Sequence, residues 1–365
     1  MIDFGLGDEL ELIRATARDF AADHLRSNLR EHEKARKVAD SVHAAFAEIG
    51  FASLGWPEAL GGSGLGALAR SVVLEELAAA DPGACLALDP LGPALYPLLE
   101  MSQPDAAASL GQPLLDTPGS RAVLVWNGAG SRSTLTRSGD SISGSVPWVP
   151  ADHVDLLVVL DEEGAVAVSE SIALQPVRGS GLRAAGASEL SVVDAPIRAS
   201  FEDRDSAALA LAHARLYNTA MLVGVMRESA EFSRQYALDR VAFGKPIAHH
   251  QALAFLITDI ATAVDSARLL LWDAALRFDS GEDPREACAT AYIEAIEQSM
   301  FVTPNGVQIL GGHGFIMQDY PVEKFMREAR TLGLSWGGVD GAREDAGNEL
   351  AQCDGTVALS LEAHS

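Results

Sequence analysis

The chain has 365 residues, of which 48% are hydrophobic, and a formal charge of −24 from 27 Lys and Arg against 51 Asp and Glu. That length and apolar content can bury a sizeable core and exclude a disordered chain, while the charge opposes nucleic acid and anionic membranes as partners. Cys85, Cys288 and Cys353 lie far apart with no metal-ligand or C-x-x-C spacing, so reduced thiols are expected, with neither a disulfide framework nor a metal site. No basic-then-apolar leader opens the sequence, and no apolar run approaches the ~18 residues of a membrane span, so a cytoplasmic protein is expected.

Along the first zone, from Met1 to about Pro118, the apolar period is helical, with Leu10, Ile13, Ala17, Phe20 and Ala21 on one face. Turn signals punctuate it at Gly55-Trp56-Pro57, Gly61-Gly62-Ser63-Gly64 and Asp81-Pro82-Gly83. From about Arg121 to Ala199 the pattern shifts to short Val- and Leu-rich runs at 122–126, 156–160 and 165–168, bounded by Gly, Asp or Ser. These predict strands of a small antiparallel sheet or barrel.

Beyond Ala207 the helical period returns. Leu253, Leu256, Ile260, Val264, Ala267, Leu271, Ala275 and Phe278 form one stripe on a helix of about seven turns. Pro284 closes that segment, and helices of this length pack side by side in bundles. Trp272 on this helix reads as packing, and the neighbours His249 and His250 point in different directions, which argues against a metal pair. The predicted fold is α+β: a helical region over 1–119, a small β-domain over 120–200 and a helical bundle over 201–365.

Three segments narrow this order to a family. They are Trp56-Pro57-Glu58-Ala59-Leu60-Gly61-Gly62-Ser63-Gly64 with Val73-Leu74-Glu75-Glu76-Leu77; Arg240-Val241-Ala242-Phe243-Gly244-Lys245-Pro246-Ile247 with His250-Gln251; and Gln308-Ile309-Leu310-Gly311-Gly312-His313-Gly314-Phe315 with Val322 to Arg330. Together, in this order, they resemble the acyl-CoA dehydrogenases. The resemblance implies an N-terminal helical domain, a middle β-domain, a C-terminal four-helix bundle and FAD as cofactor. It also implies that Arg240, Phe243, His250, Gln251, Gln308, Gly311 and Gly312 contact the FAD of an adjacent subunit. Arginine suits that task through its fork of donors for a pyrophosphate, and glycine through a backbone that a ligand can approach closely. Phe243 adds an apolar face, and Gln251 and Gln308 add amide hydrogen bonds.

Elsewhere the chain departs from the family. The Thr-Glu-Pro-Gly-x-Gly-Ser-Asp-like loop that meets a subunit's own flavin becomes Val125-Trp126-Asn127-Gly128-Ala129-Gly130-Ser131-Arg132, and the Trp-Ile-Thr/Ser segment becomes Trp148-Val149-Pro150. Proline there supplies neither the hydroxyl nor a backbone N–H. Family members abstract the α-proton of an acyl-CoA thioester with a glutamate. Of its two usual positions, one falls here on Trp336-Gly337 and the other on Ala214, before Arg215-Leu216. None of these side chains accepts a proton.

No catalytic residue is therefore expected in this chain. The resemblance implies instead a subunit of an α2β2 heterotetramer that shares FAD with a related subunit retaining the catalytic Glu. The resemblance further implies acyl-CoA as the substrate, bulky chains such as steroid side-chain thioesters included, and allows an electron-transfer flavoprotein as the acceptor. Two alternatives stay open: a self-sufficient homo-oligomer using Asp340 or Glu344 as base, and a silent family member that acts as a binding or structural protein.

Overall fold

The computed structural model describes residues 5–103, 105–318 and 320–352. Asp8, Glu9 and Glu11 crowd the first turn of α1 (Asp8–Phe20) and Arg18 its last, the charge order a helix dipole favours. The first region continues through α2 (Leu29–Ala35), α3 (Asp40–Glu48), α4 (Ala67–Ala80), α5 (Pro82–Leu88), α6 (Leu95–Leu99) and α7 (Ala106–Asp116). Every residue of α4 from Ala69 to Ala80 is buried, so its charged side chains need internal partners. Arg70 pairs with Asp89 at 2.8 Å, Glu76 with Arg227 at 2.7 Å and Glu75 with Arg268 at 3.0 Å.

The middle region holds β1 (Ala122–Trp126), β2 (Thr136–Ser138), β3 (Ser141–Val149), β4 (Leu156–Leu160), β5 (Gly164–Val168), β6 (Ile172–Pro176), β7 (Ser188–Pro196) and β8 (Ala199–Glu202). They form two four-stranded sheets, β1-β4-β5-β8 and β2-β3-β7-β6. This corrects the expectation of one small antiparallel sheet or barrel, since β1 also pairs with β4 in parallel, Ala122 opposite Leu156. The first sheet is covered on both faces. Val123, Val125, Leu157 and Val159 meet Ile142 and Leu190 of the other sheet, while Leu124, Leu156 and Val158 join the helical core. Strands buried on both faces read as continuous apolar runs, which is why β1, β4 and β5 stood out in the sequence.

The last region is helical: α8 (Arg204–Asp239), the hairpin strands β9 (Val241–Ala242) and β10 (Lys245–Pro246), α9 (Gln251–Ser280), α10 (Arg285–Leu310), α11 (Val322–Leu332) and α12 (Gly338–Gln352). Asp203 caps α8 by accepting from the Ser206 N–H at 2.7 Å. Helices α8, α9 and α10 pack on one another, α12 lies on α10, and α4 docks against α8 and α9. At the α4–α8 crossing a Cβ on Gly224 would stand 2.3 Å from the Glu75 carbonyl oxygen, so the two backbones meet there only because residue 224 has no side chain. Among the described residues no helix is long and apolar enough to cross a membrane.

A fully buried triad ties the regions together. Lys324 Nζ on α11 donates to Asp81 Oδ1 at 2.9 Å and to Glu328 Oε1 at 2.7 Å, and Glu328 also accepts from the Leu182 N–H. Burial opposes the lysine charge, but Asp81 and Glu328 outweigh it and hold the ammonium well above the usual lysine range.

A second tie sits where the chain passes from α7 to β1. His153 Nδ1 faces Asp152 Oδ1 at 2.8 Å and its Nε2 faces the Gly119 carbonyl at 2.6 Å. Only the protonated ring donates to both acceptors. The bond to Asp152, against partial burial and helped by the Gly119 carbonyl, raises the imidazole above its ordinary value. The stabilisation is thus complete below the unfolded pKa of about 6.5 and is lost as pH rises through the higher folded value. Melting temperatures measured across that range are expected to fall more steeply for the wild type than for His153→Gln. Parallel curves would show that the ring is not protonated at this junction.

Candidate functional site

After α8 the chain turns sharply: the Arg240 carbonyl accepts from the Ile247 N–H at 2.8 Å, and β9 and β10 pair as a short hairpin. Its two central residues, Phe243 and Gly244, have φ of 53° and 82°, the left-handed values that a tight two-residue hairpin requires. The phenylalanine in this unfavourable conformation is 96% exposed. His250 Nε2 lies 3.1 Å from the Ala242 carbonyl, and its ring stands edge-on to Phe243 at 6.1 Å. Gln251 opens α9 and is exposed.

The second group of sequence-predicted residues closes α10. Gln308, Gly311 and Gly312 are exposed, and a Cβ built on either glycine meets nothing within 4 Å. An aromatic cluster links the two groups: Tyr320 packs edge-on against Phe232 and Tyr236 of α8 and against His313 of the turn after α10, at 5.5, 5.7 and 6.1 Å. The hairpin and the glycine turn thus belong to one end of the bundle. Val241, Phe243, Phe315, Ile316 and Met317 are exposed apolar side chains of those same segments.

This surface fits a ligand such as FAD. The side chains of Arg240, Gln251 and Gln308 hydrogen-bond to no described residue, leaving guanidinium and amide donors free beside glycines that face open space. His250 differs from the others, because its ring nitrogen braces the hairpin that carries Phe243.

The loop aligned with the own-subunit flavin contact is closed on itself. Glu162 accepts from the Ala129 N–H at 2.6 Å, the Trp126 indole donates to the Ala129 carbonyl at 3.0 Å, and the Ser131 hydroxyl donates to the Trp126 carbonyl at 2.7 Å. A Cβ on Gly128 would lie 2.2 Å from the Trp126 ring, so the indole already fills the space over the loop. Pro150 adds no donor, and its carbonyl is taken by Arg121.

The two catalytic positions, distant in sequence, come together at Arg215. Its Nε and Nη2 donate to the Trp336 carbonyl at 3.3 and 3.2 Å, and its Nη1 pairs with Asp345 at 2.7 Å. Ala214 is fully buried beside it, and Trp336 is buried with φ of 54° in a turn completed by Gly337 and Gly338. Tyr292 and Asn218 pin this turn through the Leu332 and Ser335 carbonyls. Of the α12 carboxylates, Asp340 and Glu344 are exposed, and the one engaged here is Asp345. Sequence spacing missed Asp345 because nothing marks which face of α12 meets Arg215. His213, next to Ala214, is no substitute base: burial, with the Arg70 charge, pushes it down to about 3. So weak a base gives little drive for proton abstraction near neutral pH.

Comparisons with known proteins bear on the family and the fold. The model for the acyl-CoA dehydrogenase C-terminal domain matches residues 205–345, and that for the acyl-CoA dehydrogenase N-terminal domain matches residues 7–109. The mitochondrial short-chain specific acyl-CoA dehydrogenase of Bos taurus is 29% identical over 354 residues, covering 88% of this chain and 84% of its own length. The structure of butyryl-CoA dehydrogenase from Megasphaera elsdenii superposes with a TM-score of 0.86 at 21% identity, covering 96% of this chain and all of that one. PigA, solved with FAD and proline, superposes at 0.83 with 18% identity, covering 96% of this chain and 99% of that one. At these identities the two structures establish the fold, and membership of the family supports FAD as the cofactor. The two matched domains span well over half of the sequence, and the chain belongs to the acyl-CoA dehydrogenase family.

Proposed function

We propose that this chain is the base-lacking subunit of a heteromeric FAD-dependent acyl-CoA dehydrogenase that desaturates an acyl-CoA thioester. It presents Arg240, Phe243, Gln251, Gln308, Gly311 and Gly312 to a flavin shared with a related subunit that keeps the catalytic glutamate. One contrast carries this reading. The cross-subunit residues are exposed with unused donors, whereas the own-subunit loop is spent on Glu162 and Trp126.

FAD, when bound, supplies the acceptor for the β-hydride. Arg240 would hold the diphosphate with its fork of N–H donors, and Gly311 and Gly312 would admit it to the backbone. The exposed Phe243 would give the cofactor an apolar face and exclude water, with His250 bracing the hairpin that carries it. The proton acceptor comes from the other subunit, because Ala214, Trp336 and Gly337 offer none. The exposed Val241, Phe315, Ile316 and Met317 suit burial against that subunit. An electron-transfer flavoprotein is the expected final acceptor.

The test is acyl-CoA oxidation by the chain alone and after co-expression with a family member that retains the glutamate. Thioesters of bulky acids, such as steroid side chains, are the substrates to try first. The isolated chain is expected to fall below the pair by at least the ~10²–10⁴-fold that a positioned base contributes. Equal rates would overturn the proposal.

A further inference from the structure

Helix α12 lies over Arg215 with little apolar surface to hold it there. Of its residues from Gly338 to Ala351, only Ala342 and Ala346 are buried, one turn apart on a single face. Val339 is half-buried and Leu350 is exposed. Two methyl groups remove far less apolar area from water than the side chains that fix α10, such as Tyr292, Ile296, Val302 and Ile309. The helix is also weak in itself. Gly341 and Gly347 stand in its interior, and each lowers helix stability about fivefold relative to alanine. Packing does not demand glycine at either place. A Cβ on Gly347 would meet nothing within 4 Å, and one on Gly341 would make ordinary contact with Arg215 Nη2 at 3.7 Å.

What remains is charge. Arg215 Nη1 pairs with Asp345 at 2.7 Å, Arg343 pairs with Glu297 of α10, and Arg285 Nε of α10 lies 3.8 Å from Glu349. The Arg215 side chain is buried, whereas Asp345, Arg343 and Glu297 are half-exposed. Water and salt therefore reach the outer side of each contact and weaken it.

The chain before the helix is fixed. Arg215 Nε and Nη2 hold the Trp336 carbonyl, and the Tyr292 hydroxyl donates to the Ser335 carbonyl at 2.9 Å. Directly after this anchor come Gly337 and Gly338, with φ of 82° and 62°, and glycine leaves such values for others without steric cost. A pinned turn, a two-glycine joint and a weakly packed helix follow one another in the chain. We propose that α12 is a lid, latched by the Arg215–Asp345 pair, that swings on Gly337 and Gly338 and uncovers the Arg215 guanidinium where the two base positions meet. On opening, Arg215 keeps the Trp336 carbonyl and exchanges the Asp345 carboxylate for water. The motion uses no residue of the hairpin or the glycine turn, so it stands or falls independently of the shared-flavin reading.

The test is hydrogen exchange of the full chain, read by mass spectrometry on peptides from α8, α10 and α12. The α12 amides are expected to exchange at least ~100-fold faster than those of α10 through local opening. They should speed up several-fold more between about 0.05 and 0.5 M NaCl, as screening weakens the ion pairs. Asp345→Asn should accelerate α12 about tenfold and leave α8 and α10 unchanged. Gly341→Ala/Gly347→Ala should slow α12 roughly twentyfold. Protection of α12 equal to that of α10, or α8 and α10 accelerating in step with α12 in Asp345→Asn, would show that the helix opens only with the whole bundle and would overturn the proposal. Unchanged α12 exchange in Asp345→Asn would remove the latch and overturn it too.

Discussion

Lys324→Met is expected to destabilise the protein by about 3–5 kcal/mol, the cost of removing one member of a buried ion network and leaving its partners charged and unpaired. Lys324, Asp81 and Glu328 have no solvent-exposed side-chain area. Asp81 also accepts from the Gly83 and Ala84 N–H groups, and Glu328 from the Leu182 N–H. Neither carboxylate can turn to water without breaking a helix cap or the loop before β7. Denaturant unfolding of wild type and variant checks this. The double variant Lys324→Met/Glu328→Gln should recover part of the loss, because it removes one of the stranded charges. A single-variant effect below about 1 kcal/mol would mean that water reaches the triad.

Arg240→Ala, in the complex with a glutamate-bearing subunit, is expected to weaken FAD by about 1.5–3 kcal/mol, roughly 10- to 100-fold, the range for hydrogen bonds to a charged group. Folding should be untouched, since the Arg240 side chain pairs with no described residue and only its backbone holds the hairpin. Arg240→Lys should recover the charge but not the planar fork, and so only part of the affinity. Flavin fluorescence on dilution reads both variants. Unchanged FAD affinity in Arg240→Ala would remove the residue from the site.

Much of this was legible in the sequence because it rests on local rules. The stripe from Leu253 to Phe278 gave a helix observed as Gln251–Ser280. The runs at 122–126 and 156–160 became strands with those same limits. Strands β2, β3, β6 and β7 were not foreseen: β2 is wholly polar and exposed, and in β3, β6 and β7 polar residues or proline interrupt the apolar ones. The parallel β1–β4 pairing is non-local and leaves no mark on either segment. At the site, Ala214, Trp336 and Gly337 could be read from the sequence as the residues at the two expected base positions, but that both positions share Arg215 could not. The self-closure of the 127–132 loop was equally hidden, since it depends on Glu162 from the turn between β4 and β5.

The shared-flavin arrangement is tested most directly by counting flavin. The chain purified alone should hold little FAD. Co-purified with a glutamate-bearing relative, it should hold one FAD for each pair of chains. One FAD per chain in the isolated protein would show that its own half-site is intact and would contradict the proposal.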